Sequence, residues 1–542
     1  MDMLTYDEFP GIPPLVHETI AGISHIDYGF RTYPDPVAWV EQSKSEAKHE
    51  RPIGAIADTI RKQYGDLPLT QAVRQNLDAL TQPGTMAVVT GQQVGIAGGP
   101  LLTLYKAMTT IALAERLERG TGVRTVPIFW MATSDHNLPE CAQSHWIDLN
   151  NQLSSYKDTK SGNRFPVGSL KLGNRAEDLL QKLITQLPST EFSADVLNSL
   201  RSAYAPEHTF ADAFRRFWND FLGTYGLVFF DPEDPEIKRL SAPFMRKAAA
   251  EVDDRLAILV ERSQMIERAG YKSQAPIEPG RPALFLLEEG QRRKIVLEGK
   301  AIRGMSDLII SRDKLVKLAE TEPERLSAGV TLRPMLQGWL LPTGAYVAGP
   351  HEMAYWAQLP GAFAPLGIHK PAVVPRASLT LVEPKVERWL NKYELQPSDI
   401  FAGEKELSKR LLASRRDDET DHALADLDAD LKSHERILTD MTRDGDFGGL
   451  DTLVESSFGK MRYHVDKLRH GFSERLMRRH GTLLKHVEQL STHLFPGGIP
   501  QERVISPVYY LIRYGNSMLD GLNETALQAV GRHMFINLKE WQ

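Results

Sequence analysis

Four glycines and a lysine fall within one short stretch, and these are the residues best placed to do chemistry. Gly91, Gly95, Gly98 and Gly99 crowd a turn that passes through Pro100 into an apolar segment, with Gln92, Gln93, Thr103 and Lys106 around it. A glycine-rich turn before a helix can offer backbone N–H groups and the helix dipole to an anion. Gln92 and Gln93 can hydrogen-bond a ribose or an amide. Thr103 and Lys106 lie about one helical turn apart and would share a face. Lys106 then either meets a phosphate or carboxylate, or extends along the surface with its charge in water. The turn is not a Walker loop, since no Gly-Lys-Ser/Thr closes it, and it lacks the strict dinucleotide spacing. A purely conformational turn is the other reading.

A second polar group follows the next apolar run: Ser134, Asp135, His136 and Asn137. His136 can bind phosphate, donate a proton or hold a hydroxyl. Asp231, His351 and Glu352 also follow apolar runs and are candidates to join Asp135, while Arg333 and Arg376 supply positive charge. For Asp231 the alternative is an N-cap. The single cysteine, Cys141, reads as structural, because no Cys-His pairing accompanies it. A Gly-x-Ser-x-Gly elbow is absent, which disfavours a serine hydrolase. No further ligands point to a metal centre.

The elements that must carry these groups alternate. Thr85–Thr90, Thr125–Trp130, Leu227–Phe230 and Val373–Arg376 read as buried strands. Leu101–Glu118 reads as a helix, another runs from about 235 to 265, and Thr343–Ala348 leads into a second Gly-Pro turn. This pattern predicts an α/β fold with a Rossmann-like core and a site at the strands' carboxyl ends. Residues 39–51, 52–63 and 68–80 carry helical spacing, and 271–315 reads as a small β-rich insertion. Phe210, Phe214, Phe217, Trp218 and Phe221 form an aromatic stripe best read as core. Beyond residue 395 the composition turns highly charged. Phe458, Met461, Val465, Leu468, Phe472, Leu476, Leu483, Val487 and Leu490 recur mostly in steps of three and four, a coiled-coil signature. A 33-residue helix there would span roughly 50 Å, and two such helices joined by a glycine-containing turn make an antiparallel arm. The predicted divisions are a core at 1–394, the arm at 395–495 and a segment at 496–542 that returns to the core.

The 542 residues call for two or three domains. A formal charge of −6 and a pI near 6.3 leave no global nucleic-acid footprint. One cysteine excludes an intrachain disulfide. The chain opens without a basic region or an apolar run, and no stretch is long enough to span a membrane. A cytoplasmic protein with no nucleic-acid or membrane partner is therefore expected.

Several of these residues together carry a resemblance. Val88–Gly95, Gly99-Pro100-Leu-Leu-Thr103, Lys106, Val126–Trp130 and Asp135-His136 resemble the bacillithiol biosynthesis cysteine-adding family. The likeness continues through Phe210, Phe214, Gly270-Tyr271, Arg333-Pro334, Gly349-Pro350, Glu352, Pro375-Arg376 and Arg513–Gly515, and so covers nearly the whole chain. It implies a Rossmann-like core similar to class I aminoacyl-tRNA synthetase catalytic domains, with connecting insertions and a long antiparallel α-helical coiled coil that forms a homodimer. It implies joining of L-cysteine to the amino group of glucosaminyl-malate, with ATP activating the carboxylate. ATP or ADP is the implied ligand, and Mg2+ would accompany it. Carried over by position, Gly91, Gln92, Gln93, Gly95, Gly99, Pro100 and Thr103 fall on the nucleotide side, while Asp135, His136, Lys106 and Arg376 take the catalytic roles. The family pattern Glu-Asp-His-Asp is replaced here by Ser134-Asp135-His136-Asn137, with two carboxylates fewer. A related ligase for another amine or sugar acceptor, and a non-catalytic nucleotide-binding dimeric scaffold, are the alternatives.

Overall fold

The computed structural model describes residues 3–26, 50–158, 165–299, 307–414, 418–443 and 447–541. The helical spacing read at 39–51 lies almost wholly outside them. Five strands form the centre: β1 (Met86–Gln92), β2 (Thr125–Met131), β3 (Val228–Phe230), β4 (Thr343–Ala348) and β5 (Ala372–Pro375). They are ordered β3-β2-β1-β4-β5, and every pairing is parallel. Parallel strands covered on both faces need continuous apolar sequence. Accordingly Ala87 and Val89 enter one hydrophobic cluster while Met86 and Val88 enter another, as the two-residue period of a strand requires. Strand order reverses between β1 and β4, and a sheet of this kind binds ligands at the carboxyl ends of that pair.

Helix α1 (Leu101–Thr121) crosses from β1 to β2 and buries Leu104, Met108, Ile111 and Leu117. It runs one turn past the expected end. Gly122 stops it in the left-handed region (φ +65°), its N–H donating to the Glu118 carbonyl at 2.9 Å. Helix α2 (Phe210–Leu222) directs the aromatic stripe inward: Phe210, Phe214, Phe217 and Trp218 are buried. The single helix expected between 235 and 265 is three: Pro235–Leu240, Ala242–Ala250 and Val252–Arg268. The first break falls where Ser241 Oγ donates to the Lys238 carbonyl at 2.7 Å and Pro243 lacks an N–H. Asp234, not Asp231, caps the first of them.

Between β3 and β4 lies a second sheet, with Leu326–Ala328 added outside the three strands Leu284–Glu288, Gln291–Leu297 and Leu308–Ile310. Near the chain end, His533–Asn537 pairs in parallel with Ser378–Val382 and antiparallel with Met3–Leu4.

The chain divides into two compact units, Met1–Pro384 with Ile499–Gln542, and Lys385–Gly498. The second contains helices Glu404–Ala413, Asp418–Met441, Asp451–Arg479 and Gly481–Leu494. The two longest are antiparallel: Arg462 pairs with Glu435, and Arg469, further along, acts on Asp428, further back. The expected continuous helix through 458–490 breaks at His480 (φ −106°, ψ 25°), just before Gly481, a poor helix former. Leu424, Phe458 and Val465 are buried, but Met461, Leu468 and Phe472 are about half exposed.

The glycine turn is held in one conformation. Ala97 takes φ +51°, and Gly98 and Gly99 take φ +77° and +76°. A Cβ on Gly98 would lie 2.8 Å from Trp218 and 2.9 Å from Phe217. Gly98→Ala therefore combines backbone strain with overpacking and is expected to cost about 2–4 kcal/mol. Urea unfolding measures it; a loss under about 1 kcal/mol would show that the turn relaxes freely.

Candidate active site at the switch point

Lys106 projects from the second turn of α1 toward the carboxyl end of β1, where it is buried with only 3% of its surface exposed. Its ammonium donates to the Gly91 carbonyl at 2.7 Å and to Gln92 Oε1 at 3.0 Å, and forms an ion pair with Glu352. The solvated alternative for this lysine does not hold. Burial lowers its pKa, an effect the Glu352 carboxylate opposes.

Glu352 comes from helix α4 (Pro350–Trp356), directly after β4. Its Oε2 accepts the Gly349 N–H at 2.7 Å and its Oε1 accepts the Tyr346 hydroxyl at 2.9 Å. Burial alone would raise this carboxyl; Lys106 and the Gly349 amide more than offset it, so the group sits below its ordinary value. Tyr346 stacks on Trp356 with ring centroids 4.9 Å apart. Arg333 opens helix α3 (Arg333–Leu340) and donates to the hydroxyls of Tyr346 and Tyr355 at 3.2 and 3.1 Å, and to Gln337 Oε1 at 3.1 Å. Lys106, Glu352, Tyr346 and Arg333 thus form one hydrogen-bonded chain across the β1/β4 crevice.

Gln93, the neighbour in sequence of the Gln92 that Lys106 bonds, reaches the second polar group. Its amide donates to Asp135 and, at 3.1 Å, to Glu140 Oε2. Asp135 Oδ1 accepts the N–H groups of His136 (2.7 Å) and Asn137 (3.3 Å). His136 Nδ1 lies 3.8 Å from the same oxygen. Glu140 was not among the sequence candidates. It accepts Asn137 Nδ2 at 2.6 Å, so it returns a carboxylate to the place where Asn137 lacks one. Its spacing, three residues after Asn137 on the short helix Leu138–Cys141, is the signal that could have found it.

Other candidates take structural places. Arg376 is buried and bidentate on Glu502, with Nη1 to Oε2 at 2.8 Å. It backs the site without facing it: a Cβ on Gly349 would lie 3.7 Å from Arg376 Nε and 3.8 Å from Lys106 Cε. Asp231 does not join Asp135. It accepts the Thr133 hydroxyl at 2.5 Å and the Glu233 N–H at 3.0 Å, with Arg215 at 3.8 Å. His351 has an exposed side chain overall, but partial desolvation of its ring, with the charges of Arg503 and Arg376 nearby, lowers its pKa. Cys141 is buried, and burial pushes its thiol far up, which leaves it no nucleophilic role.

The glycine turn also differs from the phosphate cradle expected. Gly95, Gly99 and Thr103 are buried. The Leu101 N–H at the start of α1 donates to the Ile505 carbonyl at 2.9 Å. Tyr204 donates to the Gly95 carbonyl (3.3 Å) and accepts the Gly98 N–H (3.0 Å); Ser506 donates to the Ala97 carbonyl at 2.9 Å. The turn is thus covered by Tyr204, Trp218 and the 505–506 backbone. Only Gln92, Gln93 and Pro100 keep partial exposure in 91–100.

The sequence family described as bacillithiol biosynthesis BshC matches at both ends of the chain. Its N-terminal Rossmann-like domain covers residues 2–377 and its C-terminal coiled-coil domain 379–538. The chain belongs to the bacillithiol biosynthesis BshC family. Among curated relatives, the protein named "Putative cysteine ligase BshC" from Salinibacter ruber is 32% identical over 491 residues, covering 89% of this chain and 88% of that one. Namesakes from Koribacter versatilis (33% over 455 residues; 83% and 84%) and Symbiobacterium thermophilum (33% over 509 residues; 89% and 90%) are similarly complete. A ligase-type enzyme of the BshC family therefore has its β1/β4 crevice lined by the Lys106–Glu352 pair.

The pair makes a pH prediction. A carboxyl held below its ordinary value stabilises the fold fully above that value and loses the contribution as pH falls through the folded pKa. Glu352→Gln leaves Lys106 buried without its counterion, an expected cost of about 3 kcal/mol at neutral pH. The difference from wild type should stay constant down to the ordinary carboxyl value of 4.5 and shrink below it. A difference independent of pH through acid unfolding would remove Glu352 as the counterion.

Proposed function

We propose that this chain joins L-cysteine to the amino group of glucosaminyl-malate, with ATP activating the cysteine carboxylate, on a core used as in class I aminoacyl-tRNA synthetases. The observation that carries this reading is the cation–carboxylate pair at the strand-order reversal, within a family whose relatives bear the cysteine ligase name. Forming an amide from a free acid and an amine requires three things of a protein: positive charge beside the activated carboxylate, a position for the amine, and an acceptor for its proton.

The residues at the crevice fit an anionic co-substrate through side chains and not through the turn. Lys106 and Arg333 face it with fixed positive charge, whereas the turn's amides are taken up by the protein itself. When bound there, ATP supplies a leaving group on the carboxylate, and Mg2+ arrives with its phosphates. Gln92 and Gln93 orient polar groups of the ligand. Asp135 fixes the loop that carries His136 by accepting two of its backbone amides. His136, partly exposed, takes the proton released by the attacking amine at a ring nitrogen. Arg376 acts as a positioning residue, packed behind Gly349, whose N–H Glu352 accepts.

The arm makes the protein a homodimer on this reading. Two antiparallel helices cover one seam and leave Leu468 and Phe472 exposed at 53% and 54%, an apolar stripe that a second copy would bury.

Two outcomes test the reading. Pure protein with ATP, cysteine and glucosaminyl-malate should yield the amide product by mass spectrometry, and Lys106→Met should lower kcat/KM by roughly 100-fold or more. Turnover of a different amine, with none of this one, would overturn the acceptor. Separately, Leu468→Glu with Phe472→Glu should convert a dimer to a monomer in sedimentation at micromolar concentration; an unchanged mass would place the interface elsewhere.

A further inference from the structure

Next to the polar crevice is a small cavity that nothing in the reading above uses. It lies where β2 ends, between the central sheet and the outer strand Leu326–Ala328 of the second sheet. Trp130, Ser134, Met245, Ala328, Arg333 and Leu336 are among its walls. Its volume is about 40 Å³, which holds roughly three water-sized groups. The walls mix apolar side chains with the hydroxyls of Ser134, Ser241 and Ser327 and with the charged groups Glu233, Lys238 and Arg333. The charged wall groups are already committed, Glu233 to Lys238 and Arg333 to the hydroxyls of Tyr346 and Tyr355, so a small group of modest polarity can take the place of water without breaking an ion pair.

Three features connect the cavity to the site. Ser134 lies on its wall and directly precedes Asp135. Arg333 is shared: its guanidinium belongs to the Tyr346–Glu352–Lys106 chain, and the residue also lines the cavity. The walls are also fixed. Arg292 clamps the outer strand, donating to Ser327 Oγ at 3.0 Å and the Ala328 carbonyl at 3.2 Å while lying 3.6 Å over the Phe285 ring. Glu233 and Lys238 pair at 2.6 Å, and Lys238 also donates to the Glu324 carbonyl at 3.0 Å. A cavity walled by clamped elements, with Ser134 before Asp135 on its wall, can measure the size of a group, because its walls cannot yield without breaking buried hydrogen bonds.

We propose that this cavity receives the side chain of the amino acid whose carboxylate is activated and limits it to about two or three non-hydrogen atoms. This rests on the ligase reading, in which an amino acid is the acyl donor. Its side chain enters between Ser134 and Ala328, and its α-carbon lies at the strand ends beside Asp135. A CH2SH group fits in volume and polarity, while a thioether or aromatic side chain is too long.

Donor competition tests the assignment. Full-length protein is given ATP and glucosaminyl-malate with cysteine, alanine, 2-aminobutyrate, methionine or phenylalanine, and each product is followed by mass. Wild type should use cysteine and reject methionine and phenylalanine. Ala328→Leu, which fills the cavity, should raise KM for cysteine at least tenfold with a smaller change in kcat. Met245→Ala, which enlarges it, should shift kcat/KM toward methionine over cysteine by about tenfold, the scale of one or two methylenes in a pocket. Thermal unfolding confirms that both variants fold; should Ala328→Leu fail to, the Met245→Ala preference decides alone. Cysteine product with an unchanged donor preference would overturn the cavity's role and leave the ligase reading standing. Absence of product from every donor in wild type would overturn both.

Discussion

A lysine ammonium with almost no access to water must be neutralised by something fixed, and the arrangement of this crevice follows from that requirement. Desolvation of Lys106 costs several kcal/mol unless a counterion and hydrogen-bond acceptors replace the water. Here the carbonyl of Gly91, the amide oxygen of Gln92 and the carboxylate of Glu352 do so. They come from both sides of the reversal: the first two from the last residues of β1 and the third from the helix after β4. The lysine therefore helps fix how the two halves of the sheet meet. Glu352 in turn is aimed by the Gly349 amide and Tyr346, and Tyr346 by Trp356 and Arg333. Removing one member costs the full desolvation penalty only where its partner cannot reach water, and Lys106 and Tyr346 are the buried members of the chain.

The second constraint comes from the far end of the chain. Residues 501–506 supply Glu502 to Arg376, the Ile505 carbonyl to the first amide of α1, and the Ser506 hydroxyl to Ala97. Glu502 also accepts from Ser378 Oγ at 3.2 Å and the Leu379 N–H at 3.3 Å. His533, held between Ser378 and Thr380, has its pKa depressed to about 3 by burial. It is neutral at ordinary pH and adds no charge to the Arg376–Glu502 pair. The C-terminal segment is thus a brace: it closes the glycine turn on one side and immobilises the arginine behind Gly349 on the other.

What was legible in the sequence was local. The β1–turn–α1–β2 unit and the aromatic stripe of α2 could be read because apolar runs and periodicity fix them within a few residues. The strand-order reversal and the Lys106–Glu352 pair could not, since 245 residues of chain lie between the partners and the hydrogen bonds joining them leave no periodic trace. The glycine turn was legible as a bend yet left both its readings open, for a specific reason. Density of glycine reports that backbone must bend or approach closely, but not whether the close neighbour is a phosphate or, as at Gly98, Trp218. Glu140, three residues from Asn137, lies on a helix of only four residues, too short to leave a periodic trace. The arm's heptads were visible, but the pattern did not reveal that Gly481 would break the helix.

Closure of the turn changes what kind of binding site this is. An amide cradle is neutral before its anion arrives and needs no internal counterion. A site built from Lys106 and Arg333 is charged from the start, so it carries a counterion of its own, Glu352, and hydroxyl acceptors for Arg333 at Tyr346 and Tyr355. An incoming anion must then share Lys106 with Glu352 and cannot simply fill a vacancy. Sharing weakens ground-state binding, yet the full attraction returns when negative charge grows at the reacting group, because the lysine is already oriented and dry. For a reaction in which charge accumulates on a leaving group, a prepaired lysine of this kind favours the transition state over the substrate.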